Sequence, residues 1–285
     1  MGIPDGKIDS VIGLIKPELP MIAGVCVIAG QIVSHTGLPS LMTVTYGFLA
    51  GFFLSASAMV SNDYFDLEVD RVDKPHRPFP SGRVSGWEVL AIAAVLAALG
   101  LVMAALLGST PLAFAAVILI IGLLYNWRLK ESGPLGNMMV AFSVASTFLF
   151  GGVSVGGLND PLIWVFASIA FLFNLAAEIS SGAMDMDGDR LRGSRSIAIV
   201  HGKEFALRVA GVLTVAIVIL TFIPIGAGWL GWAYVVPVIA ADLMLLLHYQ
   251  RLRSSSMPDE GREEIRKMYL VMTVFILAFI IGALL

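Results

Sequence analysis

WEVLAIAAVLAALGLVMAALL, the stretch from Trp87 to Leu107, decides the fold: beyond Glu88 it runs to its end without a charged residue. A helix of about 20 such residues crosses the hydrocarbon core of a bilayer, roughly 30 Å thick. The same reading carried outward gives nine candidate spans, near 19–37, 41–61, 87–107, 111–127, 137–157, 161–181, 205–223, 229–248 and 268–285. Short connections marked by Gly or Pro, such as His35 to Ser40 and Gly108 to Pro111, alternate with longer polar ones. Composition agrees: mean hydropathy is +0.87 and charged residues make up 14% of the chain, where a soluble domain carries about a quarter. The expectation is an all-α polytopic membrane protein, a single domain over 1–285.

Charge placement sets the orientation. All 18 Lys and Arg residues fall before the first span, or in or just beyond the connections after the second, fourth, sixth and eighth. Nine spans therefore put every one on the N-terminal side, which by the positive-inside rule is the cytoplasm. A different span count would scatter them over both faces. The single cysteine, Cys26, permits no disulfide within the chain, and no cleavable signal pattern is evident in the polar first residues.

Two acidic clusters stand at span ends. The first is Ser61-Asn62-Asp63-Tyr64-Phe65-Asp66-Leu67-Glu68-Val69-Asp70. On a continuing helix Asn62, Asp66 and Asp70 share one face, with Asp63 beside them. The second, after span six, runs from Glu178 to Asp189, with Asp185 and Asp189 one turn apart and Glu178 about two turns before Asp185. Like charges at this spacing repel, so a cation is needed to offset them. Carboxylates beside membrane spans are costly and usually functional, and hard oxygen ligands facing each other suit Mg²⁺ together with substrate phosphates. The alternative is that both clusters are solvated helix ends marking the boundary. A faint internal echo, two four-helix halves plus one helix, places the clusters at matching positions.

The first cluster and its surroundings resemble the UbiA superfamily of intramembrane prenyltransferases. Asn62 to Asp70 matches the pattern NDxxDxxxD; Asp73-Lys74-Pro75-His76-Arg77-Pro78-Phe79-Pro80-Ser81-Gly82 looks like the loop that follows it. Tyr125 to Lys130, followed by Gly133 to Asn137, resembles the family's loop after span four, and Asp185, Asp189, Arg190, Gly193 and Ile197 resemble its second acidic motif. The resemblance implies a nine-helix fold around a lipid-facing cavity and Mg²⁺ as cofactor. It implies Asn62, Asp63, Asp66, Asp70, Asp185 and Asp189 as metal-site residues, with Asp66, Asp70, Asp185, Asp189 and Lys130 central to catalysis. Arg77, Lys74, Tyr125, Arg128, Asn174, Glu178 and Lys16 are its candidates for substrate contact, with Arg195 behind them. For the basic residues, topology alone is the competing explanation.

This chain departs from the family pattern in four places. Gly182, Ser181 and Ala177 stand where the second motif commonly has Asp, Lys and Arg, and Lys16-Pro17-Glu18 replaces an Arg-Pro pair near the start. The expected activity is Mg²⁺-dependent transfer of a polyprenyl group, geranylgeranyl first, from its diphosphate to a lipid acceptor, with geranylgeranylglyceryl phosphate favoured. An aromatic acceptor in quinone biosynthesis is the alternative. A cation-coupled transporter ranks lower, because transporter sites lie near the bilayer midplane. The expected location is the plasma membrane, with the site facing the cytoplasm and no nucleic-acid partner. His35, His76, His201 and His248 read as structural, and Asp242 as a partner of a neighbouring helix.

Overall fold

The computed structural model describes residues 6–34, 38–130, 132–191 and 194–284. His35, Arg192 and Gly193 lie outside them. Every regular element among the described residues is helical. In chain order they are α1 (Lys7–Ile15), α2 (Glu18–Ser34), α3 (Leu41–Phe65), α4 (Leu67–Asp73), α5 (Gly86–Leu107), α6 (Ser109–Leu124), a π-helical turn (Tyr125–Leu129), α7 (Pro134–Ser154), α8 (Pro161–Met184), α9 (Met186–Leu191), α10 (Ile197–His201), α11 (Lys203–Gly226), α12 (Trp232–Ser254) and α13 (Pro258–Leu284).

Seven helices, with α6 counted together with the π-helical turn that continues it (Ser109–Leu129), are long and apolar enough to cross a membrane by length and composition, and α1 with α2, bent by 50°, gives an eighth. α13 is the longest helix, yet its first turns carry Asp259, Glu260, Arg262, Glu263, Glu264, Arg266 and Lys267. The apolar run expected over 268–285 is therefore the second part of a helix that starts ten residues earlier, at Pro258.

The outer surface is what a lipid solvent requires. Along α5, Val95, Leu99, Val102 and Leu106 form an exposed apolar stripe, while Ala93, Leu96, Gly100 and Ala104 turn inward. α11 repeats this with Val212, Val215, Ile219 and Phe222 exposed. Soluble monomers rarely show continuous apolar patches of that extent. The multi-pass membrane reading holds.

Between helices in lipid the driving force is close packing, which small residues permit. α2 and α7 meet at such a crossing: a Cβ on Gly30 would lie 2.2 Å from the Phe148 carbonyl oxygen, and one on Gly151 2.3 Å from that of Val27. The packing order then repeats. α2 packs on α3, α3 on α5 and α5 on α6; likewise α7 packs on α8, α8 on α11 and α11 on α12, with α13 against α12 and α8. The two halves suggested by the sequence echo are thus packed alike, and α3 and α8, which carry the acidic clusters, are equivalent members.

Candidate active site

Both clusters are built around one aspartate at a helix break. Asp66 joins α3 to α4 with φ −89° and ψ 5°, and Asp185 joins α8 to α9 with φ −106° and ψ 19°. Both lie near the sparsely populated bridge region. The continuing helix expected from spacing is therefore interrupted, but its face survives. Asp66 N–H donates to the Asn62 carbonyl at 2.9 Å and Asp70 N–H to that of Asp66 at 2.8 Å. At the second cluster Asp185 N–H donates to Ser181 at 3.0 Å and Asp189 N–H to Asp185 at 2.9 Å. The i, i+4 relations thus persist through both breaks.

At the first cluster, basic side chains arrive from three other segments. The Lys130 ammonium donates to Asn62 Oδ1 at 3.1 Å and bonds to Asp66 Oδ2, which also accepts from Asn62 Nδ2 at 2.8 Å. Arg77 Nη1 donates to Asp70 Oδ2 at 2.9 Å and reaches Asp63 Oδ1 at 3.5 Å, while Lys74 stands 3.7 Å from Asp70 at the rim. Lys16 donates to both oxygens of Asp63, at 2.6 and 2.8 Å.

Local structure explains each approach. The loop carrying Arg77 is pinned from below: Phe79 and Val84 are buried with Leu14, Val60 and Val89, and Phe79 stacks on Tyr64 at 6.1 Å. Lys16 closes α1 in a left-handed conformation, φ 50° and ψ 64°, which costs a non-glycine residue about 1–2 kcal/mol. Its ion pair with the buried Asp63 holds it there. Lys130 follows the π-helical turn, which is tied to α3 by Asn126: its Nδ2 donates to the Ala58 carbonyl at 2.9 Å and to Ser61 Oγ at 3.0 Å. Gly133, at φ +67°, then turns the chain so tightly against the segment before α10 that a Cβ would lie 2.3 Å from the Arg195 carbonyl oxygen.

The second cluster faces Arg262 on α13, whose Nε donates to Asp185 Oδ1 at 2.8 Å with Nη2 on the same oxygen. That hydrogen bond raises the guanidinium pKa above its ordinary value. Deeper in, Asn174 Nδ2 donates to Ala170 and its Oδ1 accepts from the Tyr269 hydroxyl at 3.4 Å. Glu178 lies within electrostatic range of both Tyr269 and Tyr125, and Asp66 within range of Tyr125. Glu178 thus lies near both Tyr125 and Tyr269, and Tyr269 is bonded to Asn174.

Arg128, on the π-helical turn, is exposed, with its guanidinium 5.8 Å from the Trp127 ring. Asp63 accepts from Lys16 with both oxygens and shares Arg77 with Asp70. Asn126, Arg262 and Tyr269 were missed by sequence reasoning. Asn126 and Tyr269 carry no charge, and Arg262 lies in a run whose basic residues are accounted for by topology. Asp242 accepts from the Thr221 hydroxyl of α11 at 2.8 Å, and His248 pairs with Glu264 at 2.7 Å, both as expected.

Among the described residues, no three His, Cys, Asp or Glu side chains converge as a ready-made metal cage. The donor set nevertheless fits a hard divalent cation. Asn62 Oδ1 and an Asp66 carboxylate oxygen already converge on one cation, the Lys130 ammonium, and Mg²⁺ usually takes only one or two carboxylates beside phosphate oxygens and water.

Residues 23–271 match the UbiA prenyltransferase family. A digeranylgeranylglyceryl phosphate synthase from Methanopyrus kandleri is 37% identical over 82% of this chain and 85% of its own. A solved structure of a digeranylgeranylglyceryl phosphate synthase superposes with a TM-score of 0.82 at 29% identity, covering 98% of this chain and 99% of that one. A UbiA homologue from Archaeoglobus fulgidus, bound to GPP and Mg²⁺, shares the fold with a TM-score of 0.75 at 20% identity, over 96% of this chain and 99% of that one. With the motifs, the paired helix breaks and the full-length likeness in agreement, this chain belongs to the UbiA prenyltransferase family.

Proposed function

We propose that this prenyltransferase moves a geranylgeranyl group from its diphosphate to geranylgeranylglyceryl phosphate, forming an ether bond of a membrane lipid. The observation that carries the reading is the matched pair of helix-break aspartates, Asp66 and Asp185, each held by a basic side chain from a distant segment. Such pairs, Lys130 with Asp66 and Arg77 with Asp70, present carboxylates for cations and cations for phosphate oxygens in one place. The named relatives supply the acceptor.

In this reading Asn62, Asp66 and Asp70 hold one Mg²⁺ and Asp185 and Asp189 the other. The bound cations supply charge to stabilise the departing pyrophosphate. Lys130 and Arg77 contact the diphosphate oxygens and fix its orientation, with Lys74 at the rim. Asp63 acts as a positioning group, keeping Lys16 and Arg77 in place. Tyr125 presents its ring where an allylic carbon gains positive charge, and Glu178 and Asn174 line the cavity below, near the acceptor. The acceptor hydroxyl attacks the allylic carbon, the C–O bond to diphosphate breaks, and the hydroxyl proton is released.

Nine spans with a cytoplasmic N-terminus complete the proposal: α13 supplies the ninth, and all 18 basic residues then lie on the side of the clusters. That side faces the cytoplasm of the plasma membrane, where charged substrates arrive. The test is incubation of purified protein with labelled geranylgeranyl diphosphate, Mg²⁺ and either geranylgeranylglyceryl phosphate or an aromatic acid, followed by product resolution. Labelled ether lipid is the expected product; transfer to the aromatic acid alone would overturn the acceptor assignment.

A further inference from the structure

Arg262 belongs to none of the motifs that point to the site, yet its side chain ends in the second cluster. Its Nη1 donates to Asp259 at 2.6 Å, within its own helix turn, while Nε and Nη2 both reach Asp185. α8 carries no Lys or Arg anywhere from Pro161 to Met184, so the guanidinium comes to this aspartate from across a helix interface. Arg190, on α9, stands 3.8 Å from Asp187 at the surface.

Two further observations fix its direction. The start of α13 is anchored: His248 Nδ1 and Glu264 Oε2 lie 2.7 Å apart in a buried pair, and Lys267 donates to Glu264 Oε1 at 2.8 Å. Arg262 and Tyr269, seven residues apart, occupy one face of α13. Tyr269 donates to Asn174 and lies within range of Glu178. One face of α13 therefore meets α8 twice, at the helix-break aspartate and again at Asn174.

The arrangement mirrors that of the first cluster. Lys130 reaches Asp66 from 64 residues away, and Arg262 reaches Asp185 from 77. In both, a basic group from a distant segment pairs with the aspartate at the break. A divalent cation on Asp185 would replace that neutralising charge and leave the guanidinium free at the same place. Its planar fork matches two oxygens of a phosphate, which an ammonium cannot do.

We propose that Arg262 is a substrate-binding residue, donating its fork to the diphosphate oxygens when a cation occupies Asp185. The inference rests on the prenyl diphosphate reading above, and its test separates the two. Wild-type protein, R262Q and R262K are purified in detergent and checked for monodisperse elution. Binding of geranylgeranyl S-thiolodiphosphate with Mg²⁺ is measured by calorimetry, and binding of Mn²⁺ alone by paramagnetic resonance.

One charged hydrogen-bonded contact corresponds to about a 10- to 100-fold loss of ligand affinity in R262Q. R262K should lose about fivefold, because charge remains but the fork does not. Mn²⁺ should bind R262Q as tightly as wild type or more tightly, since a competing cation has gone. Wild-type ligand affinity in R262Q overturns the inference, and tighter Mn²⁺ binding alongside it would make Arg262 only a counter-charge. If R262Q does not elute as a single species, R262K decides: undiminished affinity there overturns the fork. A wild-type protein that binds no thiolodiphosphate overturns the function instead.

Discussion

At the end of α3, Asp66 sits in a helix break among Lys130, Arg77, Lys74 and Lys16, supplied by three other segments. At the end of α8, Asp185 sits in the same kind of break and meets Arg262 from the helix beside it. The exposures differ as well. The Asp66 side chain is 21% exposed, whereas the Asp185 side chain is 47% exposed. The backbone is one design used twice, but the first copy is preassembled and roofed by a packed loop. The second is more open at its helix-break aspartate, which meets Arg262. We read this as a division of labour, in which the first cluster sets the position of the diphosphate and the second closes on it with its cation.

The comparison breaks most directly at Asp66. D66N keeps the shape and removes the charge, and transfer should fall about 10³-fold, the scale of losing one preorganised electrostatic group. D185N should fall by less, because the open cluster is less committed before ligand arrives; equal losses would contradict the division of labour. K130Q comes next, with kcat/KM reduced about 100-fold. The size of that loss is read from initial rates at varied prenyl diphosphate concentration.

D63N tests the roof and not the chemistry. It leaves the Lys16 ammonium without its buried counter-charge and should cost about 2 kcal/mol of stability, less than a fully buried pair because Lys16 is partly solvated. Thermal unfolding in detergent should show a lowered Tm, with Mn²⁺ affinity little changed. If D63N instead abolished Mn²⁺ binding at unchanged Tm, Asp63 would be a ligand after all.

The smallest expected effect is at Gly182. A Cβ there would lie 3.9 Å from Asp189 Oδ2 and 3.6 Å from Ser196 Cβ, so a side chain fits. G182D should tighten Mg²⁺ binding at the second cluster a few-fold by adding a carboxylate. Without metal it should lower stability by a few tenths of a kcal/mol through like-charge repulsion. Isothermal titration with Mg²⁺ reads the first effect and a melting curve in chelator the second.

Much of this was legible in the sequence because the bilayer imposes a length scale. About 20 apolar residues announce a span, so α5, α8 and α11 lie close to where hydropathy puts them. α13 is the exception that shows the limit: a helix can begin in water, and its charged first turns hide its continuity. The acidic clusters were legible from i, i+4 spacing, which the structure preserves in hydrogen bonds even where the helix breaks. The breaks themselves were not, since neither Phe65-Asp66-Leu67 nor Met184-Asp185-Met186 contains Gly or Pro. Side-chain direction after an irregular turn was also beyond reach. Lys130 and Arg128 are two residues apart, yet Lys130 bonds to Asp66 and the Arg128 guanidinium lies by the Trp127 ring. Partners such as Lys16 for Asp63 are set by tertiary packing across 47 residues, which local spacing does not encode.

The central claim is that two cation sites, one at each helix-break aspartate, hold the diphosphate between them. The most direct measurement is anomalous scattering from crystals grown with Mn²⁺ and geranylgeranyl S-thiolodiphosphate. Two manganese peaks are predicted, one at coordinating distance from Asp66 and one from Asp185, with the diphosphate bridging them. A bound thiolodiphosphate with no manganese at either aspartate would contradict the account.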